Sequence, residues 1–215
     1  MKIFLDTAET DLIHQYFATG LIDGITTNPS LIRKSGKNPE DVYDDLKDLG
    51  VRDISMEVVG NAKEMYSEGK RLSKKFGDCC TIKVPCTPDG LLACRNLSRE
   101  VIKVNVTLIF SQVQAILAAK AGAQYVSPFV GRVDDNSFGG ICLVKDIVSV
   151  FKEHFVTTQV LAASVRNVRD VGRLFEHGAE IVTMPPAVFD KMYNHILTDK
   201  GLELFEADWK SVHSS

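Results

Sequence analysis

The sequence lacks several features that would assign it to large classes of protein. No apolar run approaches the roughly 20 residues that a membrane-spanning helix requires. Neither glycine-rich nucleotide-binding pattern, G-x-G-x-x-G or G-x-x-x-x-G-K-S/T, occurs. The net charge of −3 provides no basic field for nucleic acid, and the N-terminal apolar run is too short for a secretion signal. We therefore predict a cytoplasmic protein whose partners include neither a membrane nor a nucleic acid.

Cysteine and histidine do not form the patterns of metal or acid–base sites. The five cysteines are an odd number, and they lack the paired C-x-x-C spacing of zinc sites. We therefore expect free thiols in a reducing compartment. None of the five histidines lies at the end of a predicted strand, which argues against histidine catalysis or a histidine-ligated metal. No cofactor motif is visible, so we predict neither a metal nor an organic cofactor.

Eight short apolar segments alternate with amphipathic stretches along the whole chain. Helix-start signals such as Asn38-Pro39 and Asn61 with Glu64 stand between them. This alternation predicts an α/β fold, a single (β/α)8 (TIM) barrel domain over residues 1–215. The alternative, a doubly wound open sheet, usually carries the glycine-rich turn that is missing here. The predicted strands are residues 2–6, 24–27, 54–59, 80–84, 103–108, 125–129, 159–163 and 181–184.

An extra helix is predicted at about residues 200–215, after the eight units. It places Leu202, Phe205, Trp209 and Val212 on one stripe. Two interpretations are open. The stripe packs against its own barrel, or it contacts another subunit, since closing a barrel does not require this helix.

Lys83 is the most informative single residue, because it stands in the short apolar run 81–85. Burial in such a strand favours the neutral amine, which attacks carbonyls and forms Schiff bases. The alternative is a lysine at a strand end that extends its amine to water.

Other polar residues fall at the same ends of the predicted strands, where a barrel collects its chemistry. Asp6 and Glu57 are acids in apolar strands, and buried charges must be paired or functional. Together with a lysine they could move protons in Schiff-base chemistry. Arg132 and Arg166 follow the sixth and seventh strands and suit a phosphate group, although surface ion pairs are the ordinary alternative. The remaining strand-end residues are Thr26, Asn28, Asn105, Thr107, Ser127, Phe129 and Ser164.

Six motifs, in this order along nearly the whole chain, resemble those of transaldolases: Leu5-Asp6-Thr7, Thr26-Thr27-Asn28-Pro29-Ser30-Leu31, Ile82-Lys83-Val84-Pro85, Asn105-Val106-Thr107-Leu108, Ser127-Pro128-Phe129-Val130-Gly131-Arg132 and Ala162-Ala163-Ser164-Val165-Arg166. The length resembles the compact bacterial-type subfamily, which also contains fructose-6-phosphate aldolases. The resemblance implies a class I aldolase barrel, sugar-phosphate substrates and a homo-oligomer, commonly a decamer, in which the C-terminal helix reaches a neighbour.

The resemblance also implies a role for each residue. Lys83 would form the Schiff base, Asp6 would deprotonate the substrate C4 hydroxyl, and Glu57 with Thr107 would position the catalytic water. Thr26 would belong to the substrate pocket, Asn28 and Asn105 would bind the dihydroxyacetone portion, Ser127 and Ser164 would be polar pocket groups, and Arg132 and Arg166 would bind phosphate.

Two positions separate transfer from simple cleavage within the subfamily. The aldolases carry glutamine at the position of Glu57 and tyrosine at that of Phe129. A phenylalanine offers no hydroxyl for acid–base work, so the enzyme-bound carbanion should wait for an aldehyde acceptor. We therefore expect a transaldolase that moves a dihydroxyacetone unit between ketose and aldose phosphates. The alternatives are a fructose-6-phosphate aldolase, another lysine aldolase such as one acting on deoxyribose phosphate, and a non-catalytic sugar-phosphate-binding barrel.

Overall fold

The computed structural model describes residues 1–213, and its centre is a closed barrel of eight parallel strands in chain order. The predicted (β/α)8 barrel is therefore confirmed. The largest difference is at the third strand, which ends at Glu57 rather than at residue 59. The strands are β1 (Lys2–Asp6), β2 (Gly24–Thr26), β3 (Ile54–Glu57), β4 (Cys80–Pro85), β5 (Val104–Ile109), β6 (Tyr125–Pro128), β7 (Gln159–Ala162) and β8 (Ile181–Met184).

Helices surround the barrel, and their predicted caps are confirmed. Asn61 accepts a hydrogen bond from the Glu64 amide at 3.1 Å, and Glu64 accepts one from the Asn61 amide at 2.8 Å, which forms a capping box. The helices are α1 (Thr10–Phe17), α2 (Pro29–Ser35), α3 (Pro39–Asp48), α4 (Ala62–Phe76), α5 (Pro88–Arg99), α6 (Gln112–Lys120), α7 (Val130–Asp135), α8 (Gly140–Glu153), α9 (Val168–Glu176), α10 (Pro186–Asp190) and α11 (Ile196–His213), with short 3-10 turns at Gly77–Cys79 and Lys191–Tyr193.

Apolar side chains close the lower part of the barrel interior. Four buried residues from four strands form a cluster there that is separate from the larger core under the helices: Phe4, Tyr125, Leu161 and Ile181. Gly24 is required beside this cluster, because a Cβ at that position would lie 2.6 Å from the Phe4 ring and 2.7 Å from the Asp53 carbonyl oxygen. The filled interior leaves the carboxyl ends of the strands as the place for a site.

The C-terminal helix α11 does not pack against its own barrel. Every residue from Ile196 to His213 is exposed except Gly201, which is half-buried. The predicted stripe is on the surface, with Phe205 and Trp209 72% and 68% exposed. The interpretation that the stripe packs on its own barrel is therefore wrong, whereas a subunit contact stays a prediction. The predicted helix extends to residues 214 and 215, which lie outside the described residues. Within residues 1–213, none of the helices has the length and apolar character to cross a membrane.

Candidate active site

The strand register brings the predicted residues together at the mouth of the barrel. Lys83 on β4 is directly opposite Glu57 on β3 and Asn105 on β5, and Asp6 on β1 is opposite Thr26 on β2. These side chains line two adjoining cavities at the mouth of the barrel. The inner cavity, of about 120 Å³, is lined by Asp6, Thr26, Asn28, Lys83, Asn105, Thr107, Ser127, Phe129, Leu161, Ala163, Ser164, Thr183 and Arg132. An adjoining outer cavity of about 440 Å³ is lined by Glu57 and shares five residues with the first: Asn28, Lys83, Thr107, Phe129 and Arg132.

Lys83 stands between the two cavities and is only 6% exposed. Its Nζ lies 3.0 Å from Glu57 Oε2 and donates to the Thr27 carbonyl oxygen at 2.7 Å. The alternative of an amine extended to bulk water is therefore wrong. The Glu57 carboxylate and the Thr27 carbonyl oxygen are both acceptors for the Lys83 N–H groups, and the amine needs a free lone pair before it can attack a carbonyl. Glu57 is the base within reach.

Asp6 faces the same cavity from β1 and is held by a chain of hydroxyl groups. Its Oδ1 accepts a hydrogen bond from Thr26 Oγ1 at 2.8 Å, and Thr26 Oγ1 lies 2.7 Å from Thr183 Oγ1. Burial raises the pKa of Asp6, while the Lys83 ammonium and the Thr26 hydrogen bond act in the opposite direction. Asp6 is thus better suited than an exposed aspartate to accept a proton from a substrate hydroxyl.

Thr183 is not among the site residues predicted from the sequence. A threonine within an apolar strand is common and carries no motif of its own. The one available signal was its place in the eighth strand of a predicted barrel, since inward positions of alternate strands share a layer.

Asn105 is oriented by its neighbours on β3 and β6. Its Nδ2 donates to Ser55 Oγ at 3.3 Å, and its Oδ1 accepts from Ser127 Oγ at 2.8 Å. All three residues are buried. These bonds hold the amide plane in place, and one amide hydrogen remains for a ligand. Ser55, which is also absent from the predicted site residues, lines neither cavity and contacts Asn105 from behind the cavity wall.

Thr107 presents a hydroxyl that no protein group satisfies. Its Oγ1 is buried and has no hydrogen-bond partner within residues 1–213, and the side chain lines both cavities. The next residue, Leu108, has a φ of 60°, and the register between β5 and β6 shifts at this point. Backbone strain of this kind in a strand is unusual for a bulky residue and tends to occur at functional sites. The Thr107 hydroxyl is free to bind a water molecule or a substrate oxygen.

Phe129 connects the cavity wall to an arginine. The Arg132 guanidinium carbon lies 5.0 Å from the centre of the Phe129 ring. The Phe129 and Phe110 rings pack edge to face, with their centroids 5.7 Å apart. A cation above an aromatic face is attracted by the ring. Phe129 therefore holds Arg132 at the rim of the cavity.

Arg166 is the one predicted site residue that lines neither cavity. It is exposed and forms a two-pronged ion pair with Asp135 at the end of α7. This pair holds the pKa of Asp135 below its usual value. The surface ion pair, which was the alternative to a phosphate site, is therefore present. A phosphate-binding role for Arg166 stays a prediction.

A parallel barrel that presents a buried lysine, two carboxylates and a set of amides and hydroxyls at its strand ends is equipped for imine chemistry on a carbonyl compound. Comparison with known proteins agrees with this chemistry. The chain belongs to the Transaldolase/Fructose-6-phosphate aldolase family, whose model matches residues 3–215.

Curated relatives are similar over their full lengths. A protein of Nitrosopumilus maritimus described as "Probable transaldolase" is 50% identical over 214 residues, which is 99% of this chain and 96% of the relative. Proteins with the same description from Caulobacter vibrioides and Paracoccus denitrificans are each 49% identical, over 100% and 97% of this chain and 99% and 96% of the relatives.

Proposed function

We propose that this protein is a transaldolase that transfers a dihydroxyacetone unit between sugar phosphates through an imine on Lys83. The observation that carries the proposal is the position of Lys83 Nζ, 3.0 Å from Glu57 and in one cavity with Asp6. The names of the similar proteins point to the same reaction.

Imine formation uses the outer cavity. Lys83 transfers a proton to Glu57, and the neutral amine attacks the C2 carbonyl of a ketose phosphate such as fructose 6-phosphate. The resulting carbinolamine loses its hydroxyl as water, for which Glu57 returns the proton. The Thr107 hydroxyl binds the departing water and later places a water molecule for hydrolysis.

Carbon–carbon cleavage uses the inner cavity. Asp6 takes the proton of the C4 hydroxyl, the C3–C4 bond breaks, and the electron pair moves into the protonated imine. Glyceraldehyde 3-phosphate leaves as the aldehyde, and an enamine of dihydroxyacetone remains on Lys83. Asn28 and Asn105 hold the hydroxyl groups of this intermediate, with Ser127 and Ser164 as further polar contacts.

The fate of the enamine decides between transfer and cleavage. Protonation at C3 would release free dihydroxyacetone, and Phe129 has no hydroxyl that could supply this proton. The enamine therefore attacks the aldehyde of erythrose 4-phosphate, Asp6 returns its proton to the new hydroxyl, and hydrolysis releases sedoheptulose 7-phosphate. This is a reaction of the pentose phosphate pathway and would take place in the cytoplasm.

Reductive trapping tests the proposal most directly. The protein is incubated with labelled fructose 6-phosphate and borohydride, and the modified peptide is mapped. We expect one adduct at Lys83, and an adduct elsewhere or none would contradict catalysis through this residue. A parallel assay omits the aldehyde acceptor: rapid release of free dihydroxyacetone there would identify a fructose-6-phosphate aldolase.

The protein would work as a homo-oligomer, with α11 covering a neighbouring subunit. The exposed stripe of α11 supports an assembly of copies of this chain, and the resemblance described above suggests a decamer. An apolar stripe of this kind on the surface of a protein marks an interaction site.

A further inference from the structure

Thr183 has a buried hydroxyl that the proposed reaction does not use directly. It lies in β8, is 2% exposed and lines the inner cavity beside Thr26. Its Oγ1 is 2.7 Å from Thr26 Oγ1, the usual distance for a hydrogen bond between two hydroxyls. A polar group buried this deeply in a folded protein almost always has a hydrogen-bond partner, and here the partner is Thr26.

The direction of this hydrogen bond follows from the protons available. Thr26 has one hydroxyl proton, and it is donated to Asp6 Oδ1 at 2.8 Å. Thr26 can therefore only accept from Thr183. The result is a one-way chain in which Thr183 donates to Thr26 and Thr26 donates to Asp6. Each donor in such a chain polarises the next and strengthens its bond.

We propose that Thr183 is a positioning residue for Asp6, acting through Thr26. The hydrogen bond from this chain of hydroxyls occupies Oδ1 of the Asp6 carboxylate and leaves Oδ2 for the substrate. When Asp6 takes the C4-hydroxyl proton on Oδ2, Oδ1 becomes the carbonyl oxygen of the neutral acid and still accepts from Thr26. The hydroxyl chain thus remains unchanged while the proton moves. The catalytic meaning of this inference rests on the proposed function, whereas the expected effect of Thr183 on the Asp6 carboxyl group does not.

The hydroxyl chain helps to keep Asp6 ionised against the effect of burial. The charged groups acting on Asp6 are Lys83 on β4 and Glu57 on β3, with opposite effects, and burial disfavours the carboxylate. The neighbouring strands β2 and β8 contribute the hydroxyls of Thr26 and Thr183. The Thr26 bond favours the ionised form, and weakening it would favour a protonated Asp6 that cannot act as a base.

Thr183→Val, which removes the hydroxyl but keeps the shape, tests the proposal, and Thr183→Ser is the matched control. The first measurement follows the Asp6 carboxyl directly, by NMR titration of the full chain with ¹³C-labelled aspartate, with Asp6→Asn assigning the signal. We expect Asp6 to titrate at higher pH in Thr183→Val than in the wild type. Thr183→Ser should restore the wild-type titration.

The second measurement separates imine formation from cleavage. Thr183→Val should give the wild-type amount of borohydride-trapped adduct at Lys83, because this step does not need Asp6. Its kcat for transfer should fall roughly tenfold, the effect of weakening one hydrogen bond to a charged group, and the acid limb of the pH profile should move to higher pH. Thr183→Ser should recover most of the rate.

Two results would overturn the inference. The first is an Asp6 titration in Thr183→Val that coincides with that of the wild type. The second is a Thr183→Val variant that unfolds at lower temperature and loses trapping and transfer equally, since this would indicate a structural role only. Failure of the proposed function is a separate result, because the wild type would then show no transfer while its Asp6 signal still titrates. If Thr183→Val does not fold, Thr183→Ala is titrated in its place and must show the same upward movement.

Discussion

Glu57 Oε2 lies 3.0 Å from Lys83 Nζ, and the two residues are opposite each other in the register of β3 and β4. The pair is largely buried, with 7% of the lysine side chain and 17% of the glutamate side chain exposed. A buried ion pair is weak evidence for stability, because desolvation offsets much of the attraction. Its position at the boundary of two cavities, both of which Lys83 lines, indicates a reactive pair: one proton transfer converts it into a neutral amine and a neutral acid.

Lys83→Met should abolish turnover, since no other group can form the imine. We expect activity to fall below detection and no borohydride adduct to form, while the circular dichroism spectrum of the barrel is retained. Lys83→Arg is the control, because it keeps the positive charge beside Glu57 but offers no amine nucleophile. An active Lys83→Arg variant, or a Lys83→Met variant without barrel structure, would favour a structural role for the lysine.

Glu57→Gln combined with Phe129→Tyr should raise cleavage relative to transfer. The tyrosine hydroxyl would supply an acid–base group close to the enamine. The measurement is the ratio of free dihydroxyacetone, formed without acceptor, to sedoheptulose 7-phosphate, formed with it. We expect this ratio to rise at least tenfold, a modest part of what general acid catalysis contributes. Phe110→Tyr adds a hydroxyl to the neighbouring ring and serves as the control. An unchanged ratio in the double variant would refute the assignment of these positions.

Asp6→Asn should lose activity but gain stability at neutral pH. Burial raises the pKa of Asp6 above its ordinary value of 3.8. The native state therefore binds more protons than the unfolded state above pH 3.8, and stability falls as the pH rises through the native pKa. Asparagine does not ionise and avoids this loss. We expect Asp6→Asn to melt at a higher temperature than the wild type at pH 7, and this difference should shrink as the pH is lowered towards 3.8. The rate of transfer should fall at least 100-fold.

Asp135→Asn is the control for this effect. Arg166 lowers the pKa of Asp135, so ionised Asp135 stabilises the native state at pH 7, whereas ionised Asp6 destabilises it. Asp135 is exposed, so its substitution should lower the melting temperature at pH 7 slightly or not at all. Equal melting temperatures for the wild type and Asp6→Asn at pH 7 would contradict the argument.

The fold could be predicted from the sequence because local signals agree with each other. Buried parallel strands appear as short apolar runs, and the caps at Asn38 and Asn61 mark where helices begin. Residues at strand ends could be placed together on the same reasoning. The positions of Asp6, Lys83 and Asn105 in one cavity follow from the closed barrel and its register.

Contacts that depend on side-chain direction could not be predicted. The hydroxyl of Thr183 meets that of Thr26 because inward positions of β8 and β2 fall in one layer, which only the closed register determines. Ser55 holds Asn105 in the same way. Arg166 follows its strand as Arg132 does, yet it turns outward to Asp135, and spacing alone carries no information on that choice.

Variants of Arg166 and Asp135 can decide whether Arg166 binds substrate phosphate. To bind it, Arg166 must leave Asp135. Arg166→Ala should then raise KM for fructose 6-phosphate roughly tenfold, the effect of a charge-assisted hydrogen bond, whereas Asp135→Asn should lower KM by releasing the guanidinium. Arg132→Ala, which removes an arginine that lines the cavity, is the positive control. If Arg166→Ala and Asp135→Asn both leave KM unchanged, the ion pair is only a surface contact.

The exposed stripe of α11 should hold copies of this chain together. Phe205 and Trp209 are mostly exposed in the single chain, and burying a large apolar side chain contributes about 1.5–3 kcal/mol. Phe205→Asp with Trp209→Asp should therefore reduce the mass measured by light scattering. Lys200→Asp places the same charge on the opposite side of the helix and should leave the assembly intact. Trp209 is the only tryptophan, so the wild-type fluorescence should shift to longer wavelength on dilution to dissociation. An unchanged mass in the double variant would show that α11 is not a subunit contact.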